Sequence, residues 1–392
     1  MEIGNGIGAD EVRRRSTPSG GNGAGVPDLS GLLTPDEVRR RSAPPGMETR
    51  FASRSMSRAV VALVAGSVLA GNAAAFDLEG HRGARGLAPE NTIPAFATAL
   101  GIGVATLELD AGITRDGVAV VSHNMSLNPD ITRGPDGRWL EKAGPAIHDL
   151  AFGELERYDV GRIDPRTRYA QAFPDQVPVD GTRIPRLADV FALVRRSGDD
   201  TVRFDIETKV SPAQPAETLA PEAFARALVA EIRRAGMAER SSIESFDWRT
   251  LQVVQREAPD IPTVYLTVQQ PFQDNVCSGP LARRPDVASA DCGASEWTAG
   301  FQLRDHGSVP RLVKAAGGRV WSPYFKDVDR AKLDEAHALG LTVVVWTVDA
   351  PDEIRRLMDL GVDGIISDRP DLVRAEMARR GMPLPPRTPV AY

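Results

Sequence analysis

The chain has 392 residues, 42% of them hydrophobic and 26% charged, and a formal net charge of −6 at pH 7. This composition is typical of a folded globular protein, and the negative charge gives no reason to expect nucleic-acid binding. The length allows two or three small domains or one large α/β barrel.

The first part of the chain does not have the pattern of a folded domain. Residues 1–55 are rich in Gly, Pro, Ser and Arg and have no sustained apolar period, and the sequence DEVRRRS occurs in them twice. We interpret this segment as disordered, or as translated from a start upstream of the true one, with a basic docking tail as the alternative.

Residues 56–75 have the pattern of a secretory signal peptide. They combine a basic flank, a short uncharged apolar run and three consecutive alanines before Phe76. A retained membrane anchor is the alternative, although the run is short for a bilayer span of about 20 residues. We therefore predict an exported protein, periplasmic or extracellular, with no stable membrane span after cleavage. In such a protein the close pair Cys277 and Cys292 predicts a disulfide, with two free thiols as the alternative.

From residue 76 to residue 380, short apolar runs alternate with helical patterns, and residues 381–392 form a tail. Many of the runs are too apolar to have one face in water. The predicted strands are Leu78–Gly83, Ala105–Gly112, Thr201–Thr208, Ser241–Phe246, Pro262–Val268, Arg319–Pro323, Thr342–Val348 and Gly364–Ser367. The predicted helices, with apolar residues at three- and four-residue spacing, are Pro94–Leu100, Ile184–Arg196, Pro221–Ala235, Trp248–Ala258, Val309–Ala316, Arg330–Leu339 and Asp352–Leu360.

Eight such repeats predict an α/β fold of the parallel (β/α)8 type, the TIM barrel. The alternative is an open, doubly wound sheet. Two polar insertions interrupt the repeats, at Ser126–Gly181 and at about Gln269–Gly307. Long irregular segments in a compact domain are usually functional loops, so we expect both insertions at the mouth of the barrel.

Three carboxylates lie at the ends of two predicted strands. Glu108 and Asp110 are separated by one residue, so they lie on the same face of their strand. Like charges side by side are unfavourable without a cation, and a hard divalent ion such as Ca²⁺ or Mg²⁺ prefers oxygen ligands. Glu207 is a candidate third ligand, and Lys209 is a candidate phosphate contact. The alternatives are a solvated strand face and a surface ion pair.

Two of the five histidines frame one ordered stretch of the sequence. His81 ends the first predicted strand, and His123 follows a short strand at 118–122. General acid–base catalysis on a phosphate ester needs one group that takes a proton and another that gives one. Arg82, beside the first histidine, offers a planar fork that suits phosphate. Trp346, at another strand end, is a candidate wall of the pocket, with packing at the barrel rim as the alternative.

Together these motifs resemble the ordered series of the glycerophosphodiester phosphodiesterase family, over Leu78 to Val373. Each motif alone is weak evidence, but the whole series in order is specific. The motifs are His81-Arg82-Gly83, Pro89-Glu90-Asn91-Thr92, Glu108-Leu109-Asp110, Thr114-Arg115-Asp116-Gly117, Val120-Val121-Ser122-His123, Ile206-Glu207-Thr208-Lys209, Ser245-Phe246-Asp247, Val345-Trp346-Thr347-Val348-Asp349 and Gly361-Val362-Asp363-Gly364.

The resemblance implies a barrel of the phosphatidylinositol-phosphodiesterase type that acts on a small molecule. The implied reaction hydrolyses a glycerophosphodiester to sn-glycerol 3-phosphate and an alcohol through a cyclic phosphate. It uses one divalent cation, Ca²⁺ or Mg²⁺, of which we favour Ca²⁺. The implied roles are general acid/base catalysis by His81 and His123, cation binding by Glu108, Asp110 and Glu207, and phosphate binding by Arg82 and Lys209. Trp346 is a candidate substrate contact because of its position at a strand end.

The chain departs from the family pattern at Asn124, where the family usually has Asp. Loss of that charge beside His123 predicts a modest rate cost or a shifted pH optimum. Two other functions are compatible with the barrel. One is a phospholipase D-like or teichoic-acid-cleaving enzyme, which would differ in its insertions. The other is a barrel that binds without catalysis, which is disfavoured because the histidines, the carboxylates and Lys209 are all present.

Overall fold

The computed structural model describes residues 75–278 and 292–392. The predictions for residues 1–74, which include nearly all of the expected signal peptide, lie outside the described residues. Across the two described ranges, no helix is both long enough and apolar enough to cross a membrane.

The described ranges contain strands and helices in near-regular alternation. The strands are β1 (Asp77–Gly80), β2 (Thr106–Ile113), β3 (Ala119–Val121), β4 (Arg203–Thr208), β5 (Ser241–Ser245), β6 (Thr263–Thr267), β7 (Gln269–Gln270), β8 (Gln273–Asp274), β9 (Val320–Pro323), β10 (Thr342–Val345) and β11 (Gly364–Ser367). The α-helices are α1 (Ile93–Ile102), α2 (Phe152–Leu155), α3 (Arg168–Ala172), α4 (Leu187–Ser197), α5 (Pro221–Arg234), α6 (Trp248–Glu257), α7 (Leu303–His306), α8 (Val309–Ala315), α9 (Arg330–Ala338), α10 (Pro351–Leu360) and α11 (Pro370–Arg379).

Eight of the strands close into a parallel barrel. They are hydrogen-bonded in the order β1-β11-β10-β9-β6-β5-β4-β2, and β1 also pairs with β2, which closes the ring. The short strand β3 is antiparallel to the end of β2, so these two strands form a hairpin at the rim. The closed ring confirms the predicted (β/α)8 barrel and excludes the open doubly wound sheet, whose two outer strands would have only one neighbour each.

Side chains alternate between two environments along each barrel strand. In β4, Phe204 and Ile206 pack outward into the main hydrophobic core, together with helix residues such as Trp248. By the same alternation, Asp205 and Glu207 point into the barrel. Burying a large apolar side chain stabilises a fold by roughly 1.5–3 kcal/mol. The layer between strands and helices therefore holds the barrel together, and its interior can accept polar groups.

The interior of the barrel is divided into an acidic half and an apolar half. Four neighbouring strands contribute carboxylates to the interior, and the other four contribute apolar side chains. Burial raises the pKa of the four carboxyl groups, which favours their protonated forms. The residues are Glu79, Glu108, Asp205 and Glu244 in the acidic half, and Leu266, Val320, Val344 and Ile366 in the apolar half.

Two insertions interrupt the repeats at the predicted places. The first contains α2 and α3, and its Leu127, Leu155 and Val160 belong to a small hydrophobic cluster separate from the main core. The second begins with the β7–β8 hairpin and holds a disulfide between Cys277 and Cys292, as predicted.

The first predicted strand is too long. It ends at Gly80 rather than Gly83, because the chain turns there with left-handed backbone angles, φ 50° at Arg82 and φ 85° at Gly83. A Cβ atom at Gly83 would lie 2.7 Å from the backbone carbon of Ala95, so the loop passes too close to α1 for any larger residue. This turn brings the first loop back over the end of the barrel.

Two helix predictions also need correction. The predicted helix Ile184–Arg196 begins instead at Leu187. Pro185 disfavours helical backbone angles at the residue before it, and Arg186 is extended, with φ −70° and ψ 151°. The last helix, α11, is absent from the predictions, although Pro370 at its first position is a typical helix start.

Candidate active site

Glu108, Asp110 and Glu207 meet at the carboxyl end of the barrel. In the register between β2 and β4, Asp110 lies opposite Glu207. One carboxylate oxygen from each residue lies within 4.8 Å of those from the other two, and all three residues are buried. Parallel pairing thus brings together the three carboxylates that the sequence analysis proposed as cation ligands.

These residues have the donor set of a divalent-cation site. Nζ of Lys209 lies 2.8 Å from Oε1 of Glu207 and 3.3 Å from Oδ1 of Asp110. The longer contact lacks hydrogen-bond geometry, so the buried Oδ1 of Asp110 has no hydrogen-bond partner. Leaving such an oxygen unpaired is costly unless a ligand completes it. No other group of carboxylate, histidine or cysteine side chains in residues 75–278 and 292–392 brings three ligand atoms this close together.

The three carboxyl groups differ in charge state. Burial raises the pKa of Glu108 well above its usual range, and Asp110 adds to the effect. Burial also raises the pKa of Glu207 to about 7, against the opposing influence of Lys209. At Asp110, burial is outweighed by Lys209 and other cationic neighbours, which hold its pKa well below the usual range. A cation would favour the ionised form of all three groups.

The loop after β1 brings Arg82 to the same cluster. The backbone N–H of Arg82 donates to Oε2 of Glu108 at 2.6 Å, and Nη1 of its guanidinium donates to Oε1 of Glu90 at 2.7 Å. Its Nε lies 3.3 Å from Oδ2 of Asp110 but makes no hydrogen bond. A left-handed φ is strained for any residue other than glycine, and these contacts keep Arg82 in that conformation. The expectation that Arg82 binds phosphate remains a prediction.

His81 is held by a carboxylate that follows the last strand of the barrel. Nδ1 of His81 lies 2.6 Å from Oδ1 of Asp368. Burial acts to raise the pKa of Asp368, but Arg85 and His81 outweigh it and hold the pKa well below its usual range. The carboxylate is therefore ionised and accepts a hydrogen bond from Nδ1 of His81, which carries the proton. The other ring nitrogen, Nε2, then carries a lone pair and lies 3.8 Å from Oε2 of Glu108.

Arg85 fixes this carboxylate in turn. Its Nε donates to Oδ1 of Asp368 at 2.8 Å and its Nη2 donates to Oδ2 at 2.7 Å, a bidentate pair. Burial lowers the pKa of His81 to about 4, although Asp368 acts to raise it. The imidazole of His81 is therefore neutral at neutral pH, with its tautomer set by Asp368.

His123 approaches the cluster from the β2–β3 hairpin. The backbone N–H of Ser122 donates to the carbonyl oxygen of Asp110 at 2.9 Å, which places the next residue beside the carboxylates. Nδ1 of His123 lies 3.3 Å from Oδ1 of Asn124. The amide that replaces the family's usual carboxylate thus still contacts the imidazole ring.

A small open cavity lies beside His123. Glu90 and Asn91, which precede α1, line one part of it, and Asn128 and Ile131 of the first insertion line another. The first insertion therefore shapes the space next to one of the two candidate catalytic histidines.

Trp346 lies in an aromatic cluster in the apolar half of the barrel. Its Nε1 donates to the carbonyl oxygen of Ser322 at 3.0 Å. Its ring packs edge-on against Phe246 and Tyr324, with centroid distances of 5.3 and 5.4 Å. Trp346 is 9% exposed, so packing accounts for most of its surface, and its contact with substrate stays a prediction.

Sequence reasoning missed Arg85, Tyr169 and Asp368. Asp368 directly follows β11, so the strand-end rule that identified Glu207 would also have identified it. Arg85 lies in the first loop, and Tyr169 lies in an insertion without a periodic pattern that would orient its side chain.

The barrel and its site are those of a phosphoric diester hydrolase. The sequence model of the Glycerophosphoryl diester phosphodiesterase family matches residues 81–372. The chain belongs to this family, and the matched range includes both histidines, the three carboxylates and Asp368.

Individual relatives agree with this membership. The glycerophosphodiester phosphodiesterase of Caldanaerobacter subterraneus subsp. tengcongensis is 26% identical over 302 residues, which cover 77% of this chain and 97% of the relative. A crystal structure from Silicibacter pomeroyi DSS-3, named as a candidate glycerophosphoryl diester phosphodiesterase, is 36% identical with a TM-score of 0.67 and covers 79% of this chain and 95% of its own. An Oleispira antarctica phosphodiesterase in complex with sn-glycerol-3-phosphate has the same fold, with a TM-score of 0.54, 18% identity, and coverage of 77% of this chain and 96% of its own.

Proposed function

We propose that the protein hydrolyses glycerophosphodiesters to sn-glycerol 3-phosphate and an alcohol, in a metal-dependent reaction that uses two histidines. One observation carries the proposal: Glu108, Asp110 and Glu207 converge within 4.8 Å, and Nε2 of His81 lies 3.8 Å from Oε2 of Glu108. This arrangement supports a role for His81 as a proton acceptor beside a set of cation ligands. The name of the Caldanaerobacter relative supports the choice of substrate class.

Glu108, Asp110 and Glu207 would hold one divalent cation. We favour Ca²⁺, which tolerates irregular oxygen coordination, over Mg²⁺, which requires near-octahedral geometry. When bound, such an ion neutralises phosphate charge and favours deprotonation of a hydroxyl group beside it. Arg82 and Lys209 border the carboxylates and would bind the remaining phosphate oxygens.

His81 is suited to take the first proton. Its Nδ1 donates to Asp368, so the lone pair of Nε2 is directed to the side of the carboxylate cluster. Its pKa of about 4, which results from burial, keeps the ring neutral at neutral pH. We propose that His81 accepts the proton of a glycerol hydroxyl group. The oxygen of that group attacks phosphorus and forms a cyclic phosphate.

His123 would protonate the departing alcohol. In the free protein, burial together with Arg82 and Lys209 lowers the pKa of His123 well below its usual value. A bound phosphodiester adds negative charge close to these two cations, which raises that pKa and favours the imidazolium form. Water then opens the cyclic phosphate. Its proton passes to His123, and His81 returns its own proton to the glycerol oxygen.

The test is release of sn-glycerol 3-phosphate by the purified protein, first stripped of metal and then supplied with Ca²⁺ or Mg²⁺. Glycerophosphocholine and glycerophosphoethanolamine would be the substrates. We expect metal-dependent release that falls by about 10² to 10⁴ in His81→Ala. His337→Ala is the matched control, because His337 is exposed and pairs with Asp363 away from the cluster. Failure to release product with either substrate would direct the search to lysophospholipids and polymeric phosphodiesters, and binding without any turnover would favour a non-catalytic barrel.

We also infer that the protein is exported to the periplasm or the extracellular space. The signal-peptide pattern of residues 56–75 motivates this inference, and the disulfide between Cys277 and Cys292 agrees with an oxidising compartment. Fractionation of producing cells and sequencing of the mature amino terminus would test it. A cytoplasmic protein that retains residues 56–75 would contradict it.

A further inference from the structure

We propose that Tyr169, a residue of the first insertion, is a positioning residue of the active site. Its hydroxyl group joins the hydrogen bonds that hold His81 to those that hold Arg82. The inference rests on the proposed function, in which His81 is the first proton acceptor.

The hydroxyl group of Tyr169 bridges two charged partners. Nη1 of Arg85 donates to it at 3.1 Å, and it donates to Oε2 of Glu90. The other oxygen of Glu90 accepts from Nη1 of Arg82 at 2.7 Å. A phenol can accept and donate at the same time, so it fits between a guanidinium and a carboxylate. Burial raises the pKa of Tyr169 above its usual value, which keeps the donated proton in place.

Arg85 connects this bridge to the catalytic histidine. It donates to Tyr169 with one guanidinium nitrogen, and to both oxygens of Asp368 with the other two, at 2.8 and 2.7 Å. Asp368 accepts from Nδ1 of His81 at 2.6 Å. The Arg85 guanidinium carbon also lies 4.6 Å from the ring centroid of Phe173, one turn beyond Tyr169. Movement of Tyr169 would therefore be transmitted to His81 through two side chains.

The insertion is fastened to the first loop next to this bridge. Nε2 of Gln176 donates to the carbonyl oxygen of Arg85 at 2.7 Å, and the backbone N–H of Val177 donates to that of Leu87 at 2.9 Å. Because backbone groups of the loop are the acceptors, these bonds fix the loop itself. The insertion is part of the frame that orients the site, and Tyr169 acts through Arg85 and Glu90.

Replacement Tyr169→Phe isolates the hydroxyl group. The ring would keep its edge-on contact with Phe173, whose centroid lies 5.0 Å away, so the variant is expected to fold. We expect kcat for sn-glycerol 3-phosphate release to fall about tenfold, with KM within about twofold of the wild-type value. Tyr158→Phe is the matched control, because that ring packs in the insertion's own hydrophobic cluster. Its kcat should match the wild type.

A second measurement does not depend on turnover. In protein with ¹⁵N-labelled histidine, the Nδ1–H resonance of His81 reports its hydrogen bond to Asp368. Tyr169→Phe should shift or broaden this resonance, and Tyr158→Phe should not.

Unchanged kcat in Tyr169→Phe would overturn the inference. If KM also rises while kcat is unchanged, the hydroxyl group contacts the substrate instead. If the wild-type protein releases no sn-glycerol 3-phosphate, the proposed function fails. The His81 resonance then still decides the positioning role, because an identical resonance in Tyr169→Phe and wild type would exclude it.

Discussion

Replacement of Asp368 by Asn tests whether the orientation of His81 limits catalysis. Asn has nearly the same shape as Asp, so the change removes charge without opening a cavity. The guanidinium of Arg85 still requires an acceptor, so the amide oxygen is expected to face Arg85 and the amide NH₂ to face Nδ1 of His81. Nδ1 would then have to accept, and the ring proton would move to Nε2. The proton would occupy the position from which the base must act.

The expected loss of kcat follows from the strength of the hydrogen bond between His81 and Asp368. A hydrogen bond to a charged group contributes about 1.5–3 kcal/mol, which corresponds to roughly 10- to 150-fold in kcat if it is lost from the transition state. The variant also leaves the Arg85 side chain, which is 12% exposed, without its bidentate partner. Breaking a buried ion pair by removing one partner costs about 3–5 kcal/mol of stability. We expect a lower unfolding midpoint together with the loss of kcat.

The assay is steady-state release of sn-glycerol 3-phosphate at a temperature where circular dichroism shows that Asp368→Asn is folded. The ¹⁵N shifts of His81 report which ring nitrogen carries the proton. Asp363→Asn is the control, because Asp363 also pairs with a histidine, His337, at an exposed position. Wild-type kcat in folded Asp368→Asn, with the His81 proton still on Nδ1, would refute the reasoning.

Three further outcomes follow from the geometry. Asp110→Asn should weaken Ca²⁺ or Mg²⁺ binding by at least about tenfold, because Asp110 is the cluster member whose pKa is held low; equal affinities in calorimetric titration would contradict this. Asp349 keeps some solvent contact, yet burial raises its pKa to about 7, so the folded state binds more protons than the unfolded state from about pH 4 to pH 7, and this contribution to stability falls as the pH rises through that range. Relative to wild type, Asp349→Asn should therefore gain roughly 2–3 kcal/mol of stability as the pH rises from about 5 to about 8. The same difference in stability at about pH 5 and pH 8 in urea unfolding would exclude the effect. Asn124→Asp should raise the pKa of His123, whose Nδ1 lies 3.3 Å from Oδ1 of Asn124, and should shift its limb of the pH–rate profile upward by about one unit; an unchanged profile would remove the idea.

The convergence of the three carboxylates was predictable because strand geometry is periodic. Alternation puts Glu108 and Asp110 on one face, and the carboxyl ends of parallel strands meet at one end of a barrel, so Glu207 joins them. The eight strands were found for the same reason, since each is an apolar run separated from the next by a helical pattern. Asp368 also lies at the carboxyl end of a strand. It was missed because no other candidate catalytic residue lies next to it in the sequence.

The surroundings of Arg82 and His81 could not be predicted in the same way. Sequence analysis indicated a phosphate contact for Arg82, and the structure adds that its guanidinium pairs with Glu90. Arg85 and Tyr169 are 84 residues apart. Arg85 lies in the first loop, and Tyr169 lies in the short helix α3 of the first insertion. Contacts of this kind depend on how loops pack against each other, for which neither propensity nor periodicity gives a rule.

The pairing of β1 with β11 has a consequence for biosynthesis. His81 follows the first strand and Asp368 follows the last, and the two residues are 287 positions apart in the chain. A chain emerging from the ribosome contains the three proposed cation ligands long before it contains Asp368, the carboxylate that accepts from Nδ1 of His81. A chain that ends before Asp368 would lack the carboxylate that holds His81, and a chain that ends before β11 would also lack the strand that joins β10 to β1. We therefore expect phosphodiester hydrolysis only from chains in which translation has passed β11 and Asp368.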